Sequence, residues 1–264
     1  MKPAIRKALW DIRWTASWFA LGGAGYTFLI ALFYPTVRQE SQQFAQLLAT
    51  YPKGFLAALG YTNITSFSGF LGGEDLNLFW PIIVGVFATL SGASLVAKEV
   101  EDGTSEIWLS VPAPRRRLLL GKMVALAVGI LGAVAACVVT VAVSAAIDSA
   151  SVSASGLLAM AAVMTAFLLV IAGYSSLLSS LFSSRGIAAG ISFGVTLLFY
   201  VLWLVGGLAD SWKTLKDFTI FAAYTPQKAL ESGTVDVLPV LLLLGITAVC
   251  AVAALTFFER RDAI

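Results

Sequence analysis

The sequence has no histidine and only two cysteines, and its charged residues amount to 12% of 264. Without histidine there is no Ser-His or Cys-His nucleophile and no imidazole-ligated metal centre. No Gly-x-x-x-x-Gly-Lys-Ser/Thr run occurs, so the chain lacks the usual phosphate loop that cradles ATP. Cys137 and Cys250 both fall inside long apolar stretches. Small, reduced, buried side chains are the default there, rather than a disulfide or a metal site. A soluble domain of this size carries about a quarter charged residues, so the shortage of charge is the main clue.

That shortage is patterned. Charge-free gaps run for 24 residues between Arg13 and Arg38, 22 over Leu76–Ala97, 25 over Met123–Ile147, 24 over Gly186–Ala209 and 22 over Val237–Phe258. A sixth, Ser149–Ser184, is 36 residues long and opens on small polar residues that suit a loop. Each gap meets the roughly 20 residues a helix needs to cross about 30 Å of hydrocarbon. Backbone in lipid must satisfy its own hydrogen bonds, so segments this apolar are helices. The expectation is an all-α integral membrane protein forming one domain over 1–264. Its six transmembrane helices fall at about 15–36, 77–97, 123–147, 157–181, 187–208 and 237–258. The spans hold essentially no ionisable residue, whereas proton- or ion-driven transporters usually keep some at membrane depth. Any energy source should therefore lie outside this polypeptide.

Twelve of the 17 basic residues fall in the N-terminal segment, the 98–122 loop, Arg185 and the tail. Basic loops stay cytoplasmic, so both termini are expected to face the cytoplasm. The net charge of +2 is a topology signal and gives no reason to expect nucleic-acid binding. The first apolar stretch is too long for a cleaved leader and reads as an anchor that stays. Before it, residues 2–13 place Ile5, Leu9 and Ile12 on one face and Arg6, Trp10, Arg13 and Trp14 on the other. This suits an N-terminal interfacial helix; the alternative is a simple extension of the first span. On the opposite side, 37–75 suggests short surface helices, and 210–236 mixes charge with Phe218, Phe221 and Tyr224. Thr225-Pro226 there can start a helix. Whether that segment dips into the membrane is left open by the sequence.

The fifth span carries Gly186, Gly190 and Gly194, a doubled Gly-x-x-x-Gly. Small residues at this spacing let helix backbones approach closely. Packing within the chain is the default expectation for so common a motif, and a subunit interface is the alternative.

The loop between the second and third spans is the region densest in specific features. It runs Lys98-Glu99-Val100-Glu101-Asp102-Gly103-Thr104-Ser105-Glu106-Ile107-Trp108-Leu109-Ser110-Val111-Pro112, then Arg115–Arg117 and Lys122. A positive-inside loop accounts for the arginines. It does not account for Ile107-Trp108-Leu109, an apolar cluster between charges of the kind that marks a protein contact. Gly103 with Glu106 three residues on makes a partial capping box for a short helix stopped by Pro112.

The pattern E-x-E-D-G-T-S-E-x-x-L-S-x-P-x-x-R, followed by Gly121-Lys122, resembles the first cytoplasmic loop of type-2 ABC exporter permeases. The six spans, the amphipathic N-terminal segment, the long first outer loop and the basic-acidic tail extend the resemblance over essentially the whole chain. Many members carry adjacent glutamates where this sequence has Glu99-Val100-Glu101-Asp102. The resemblance implies a membrane subunit with no catalytic residue and no cofactor of its own, in the plasma membrane of a prokaryote. It implies a second permease chain, identical or paralogous, and two copies of an ABC ATP-binding subunit carrying ATP and Mg. It assigns contact with that subunit to Glu99, Glu101, Asp102, Gly103, Thr104, Glu106, Ile107, Trp108, Leu109, Pro112 and Arg115 around a cytoplasmic coupling helix. A smaller contact falls at Ser184 and Arg185. Spans lined by Ala, Val, Leu, Gly and Ser favour a lipophilic or amphiphilic cargo. The rival readings are a channel and a non-transporting scaffold or sensor.

Overall fold

The computed structural model describes residues 2–40, 50, 66–103, 114–208 and 212–260. Among the described residues every regular element is helical. In chain order these are α1 (Lys2–Gln39), α2 (Phe67–Leu71), a π-helical turn (Gly72–Leu76), α3 (Phe79–Ala93) and α4 (Ala97–Glu101). Then come α5 (Arg115–Ile147), α6 (Ala154–Leu181), α7 (Arg185–Leu208), α8 (Lys213–Asp217), a 3₁₀ turn (Ile220–Ala223), α9 (Pro226–Ser232) and α10 (Val237–Arg260). Among the described residues, five helices are long and apolar enough to span a membrane: α1 from Ile5, α5, α6, α7 and α10.

The expected second span takes another form. In place of one helix over 77–97, α3 is a 15-residue apolar helix, about 22 Å long and short of the hydrocarbon thickness. Both its ends have local causes. Ahead of it, Ser66 caps α2 by accepting from the Gly69 amide, and the π turn lays Gly72 against the Gln227 side chain. A Cβ on Gly72 would sit 2.3 Å from Gln227 Cδ, so a larger residue here would displace the Gln227 side chain. Behind it the chain turns at Ser94–Val96, where the buried Ser179 hydroxyl of α6 accepts from the Val96 and Ala97 amides and donates to the Ala93 carbonyl.

The N-terminus also departs from the interfacial-helix expectation. Residues 2–39 form one unbroken 38-residue helix, so the segment extends the first span. The reason is packing. At Gly129 of α5 an added Cβ would lie 3.4 Å from Ile12 Cδ1 and 3.5 Å from Ala16 Cβ, so the Ile12 side of α1 continues straight onto α5. Trp10, Trp14 and Trp18 stay exposed on the other side, and the Arg13 guanidinium lies 3.1 Å from the Trp10 ring centroid.

α6 is the central helix, flanked by α3, α5, α7, α9 and α10. Its buried face is rich in small residues, among them Ala159, Ala166, Ala172, Gly173, Ser176 and Ser179. These allow close approach without an interhelical hydrophobic drive. An added Cβ at Gly92 of α3 would meet Ser175 Cβ at 2.8 Å, and one at Gly173 would meet the Thr247 backbone of α10 at 3.4 Å.

The segment left open by the sequence reaches deep into the bundle. Phe221 and Tyr224 stack on Phe167 with ring centroids 4.9 and 4.3 Å apart. Phe167 is 13 residues into α6, about 20 Å along its axis. The Tyr224 hydroxyl donates to the Leu76 carbonyl at 2.8 Å. The 213–232 and 66–78 segments thus meet inside the bundle, and Asp75 of the latter is fully buried. Its Oδ2 accepts from Thr27 Oγ1 at 2.6 Å, and that hydroxyl accepts from Trp80 Nε1 at 2.8 Å. Asp75 stands one residue ahead of the charge-free run assigned to the second span, so it adds a buried carboxyl at the edge of that run. The π turn tucks it inward.

Candidate functional site

At the end of the bundle where the basic residues cluster, the chain leaves α3, turns and forms α4. Val100 packs inward, Glu99 and Lys122 are largely shielded, and Lys98, Glu101, Asp102 and Gly103 are exposed. Glu99 forms an ion pair with Lys122 of α5. The same ammonium donates to the Leu95 carbonyl at 2.6 Å, which fastens the turn to α5. Glu101 reaches the other way: its Oε2 accepts from the backbone N–H of Arg185, the first residue of α7, at 2.7 Å. Ser179 holds the intervening backbone to α6. Three membrane helices are therefore tied to one acidic turn.

Gly103 ends this turn at φ +66°, in the left-handed region that favours glycine. Its amide bonds back to the Val100 carbonyl. Gly103 closes the helix before it, as a C-terminal glycine commonly does, whereas the sequence suggested a cap for the helix after it. At the start of α5, Arg116 Nε pairs with Glu259 Oε1 at 3.2 Å, joining α5 to the last turn of α10.

The sequence-derived contact set divides into parts. The structure brings together Glu101, Ser184 and Arg185, and it places Glu99 on Lys122. Asp102 and Gly103 face outward beside them. Arg115 is half-buried at the first residue of α5. Thr104, Glu106, Ile107, Trp108, Leu109 and Pro112 lie outside the described residues. The sequence reading named Lys122 only as part of the basic entry to a span and missed Ser179. The available signal for Ser179 was the doubled Ser-Ser pair at 175–176 and 179–180, placed late in an apolar helix.

Gly186, Gly190 and Gly194 line an exposed strip of α7. An added Cβ at Gly190 or Gly194 would meet nothing within 4 Å, and at Gly186 only the neighbouring Ser184 hydroxyl at 3.7 Å. Packing within the chain, the default expectation, is not what these glycines serve among the described residues.

A family model described as ABC-2 family transporter protein matches residues 23–263. The chain belongs to the ABC-2 transporter family. It is accordingly a multi-pass membrane permease of an ABC transporter, and membership implies an ATP-binding partner. No curated protein matches the chain. The acidic turn of the permease is fastened to α5, α6 and α7.

Proposed function

We propose that this permease is one half of the translocation path of an ATP-driven exporter, with its basic end in the cytoplasm. The observation that carries the reading is the 97–103 turn, tied at once to α5 through Lys122, to α6 through Ser179 and to α7 through Arg185. In this reading the 104–110 stretch that follows Gly103 docks on an ATP-binding subunit, with Ile107, Trp108 and Leu109 filling a groove. Glu99, Glu101 and Asp102 hold the turn from which it projects. Two ATP-binding subunits, carrying ATP and Mg, serve two permease chains. Their closure shifts the helices between two states by differential contact.

The exposed Gly186, Gly190 and Gly194 strip is where the second permease chain packs, since small residues favour close helix contact. The cargo is lipophilic or amphiphilic, in keeping with spans built from Ala, Val, Leu, Gly and Ser. The direct test of the docking assignment is Trp108→Ala in the assembled transporter. Loss of the ATP-binding subunit or of stimulated ATP turnover is expected. Intact assembly with full turnover would remove the assignment.

A further inference from the structure

We infer that Glu101 is a positioning residue that relays movement of the acidic turn into α7, so that the 97–103 turn and the 182–185 turn act as one lever and not as two separate contacts. The inference rests on the ATP-driven reading above and specifies its output helix. Sequence separation hides the link, because Glu101 and Arg185 are 84 positions apart. Their bond is a carboxylate accepting a first-turn helix N–H at 2.7 Å. Helix N-terminal amides have no intrahelical partner, and a negative group there also gains from the helix dipole. The Glu101 side chain therefore does for α7, from another element, what a capping residue does from within.

Two further observations make α7 the responsive element. Near the turn it is lightly held: of its 24 residues only Ala188, Ser192 and Gly206 are buried, and its ties to the core, Thr196 to Tyr174 and Tyr200 and Trp203 to Phe221, lie farther along. Beside the turn, Ala188 packs with Ala93 and Ala97 in a small cluster of its own, flanked by Leu178 and Phe182 and separate from the main core. The neighbouring attachment, Glu99 to Lys122, is instead shielded and lies on α5, which packs along the length of α1. A push on the turn thus meets a braced helix on one side and a lightly held one on the other, and Glu101 is the handle on the latter.

The experiment is amide hydrogen exchange on the transporter purified with its ATP-binding subunits, with and without ATP, Mg and vanadate. It compares wild type, Glu101→Ala and Glu101→Gln; Gln keeps an oxygen acceptor. Without nucleotide, Glu101→Ala should speed exchange at the Arg185–Ala188 amides roughly fivefold, the size of effect that loss of a cap produces. Glu101→Gln should stay near wild type. With nucleotide, wild type and Gln should change protection at 97–103 and 185–188 together, while Ala changes it at 97–103 alone. An unchanged 185–188 response in Glu101→Ala overturns the relay while leaving the ATP-driven reading intact. Absence of any nucleotide response at 97–103 in wild type overturns that reading, and the relay with it.

Discussion

Ser179 shows how much one hydroxyl holds. It takes two amide donors from the Val96–Ala97 corner and gives its proton to Ala93, all in a buried setting. Ser179→Ala would leave two buried N–H groups without an acceptor, at about 1–3 kcal/mol each. A fall of several degrees in the thermal midpoint of the purified permease is the expected outcome. An unshifted midpoint would mean the corner is not held this way. The Glu99–Lys122 pair calls for a cycle rather than a single substitution. Lys122→Met removes the ammonium that both Glu99 and the Leu95 carbonyl face, and should cost about 2 kcal/mol. The Glu99→Met, Lys122→Met double variant should cost clearly less than the two single losses combined. Strict additivity by thermal or denaturant unfolding would show that the two side chains do not interact.

Among the elements, the inward-packed 213–232 segment was least visible in the sequence. Thr225-Pro226 marked the start of α9, and the structure begins α9 at Pro226. Its depth was hidden because Phe221 and Tyr224 read equally well as surface aromatics and as partners for Phe167. The long helices were legible because lipid imposes a length and an absence of charge, and α5, α6, α7 and α10 end within a few residues of the charge boundaries. The second span was misjudged because apolar composition is blind to local stops. Gly72 against Gln227 and Ser179 against Val96 are long-range contacts that no charge gap records. The docked position of α9 makes a sharp prediction. An added Cβ on Gly156 would lie 2.3 Å from the Leu230 carbonyl oxygen, whereas Gly132 has open space around it. Gly156→Ala should therefore destabilise by about 1–3 kcal/mol. Gly132→Ala in the interior of α5 should be neutral or gain up to about 1 kcal/mol. Thermal midpoints of the two variants, measured side by side, check this, and equal effects would refute the packing of α9 on α6.

At the scale of the whole molecule, the permease presents a largely exposed face of α7. Side chains added at Gly190 and Gly194 would meet nothing within 4 Å among the described residues, and large apolar side chains such as Phe193, Leu197 and Leu198 are exposed. Gly190→Leu should leave the monomer fold intact and weaken permease–permease association, read by cross-linking or mass photometry in detergent. Undiminished association would put the second chain on another face. Of the acidic turn, the sequence made the acidic residues legible and marked Gly103 as a turn. It could not show that Glu101 spends its carboxylate on α7 or that Glu99 turns inward to Lys122, since both depend on how the helices pack.

In the proposed function, the acidic turn and the stretch after it join this permease to an ATP-binding subunit. The most direct measurement is affinity purification of the tagged chain expressed from its native operon, with subunit counting and an ATPase assay. The account predicts a stoichiometric ATP-binding subunit and ATP turnover, both lost when 103–109 is scrambled in a chain that still inserts. Recovery of the permease alone, stable and without ATP turnover, would contradict it.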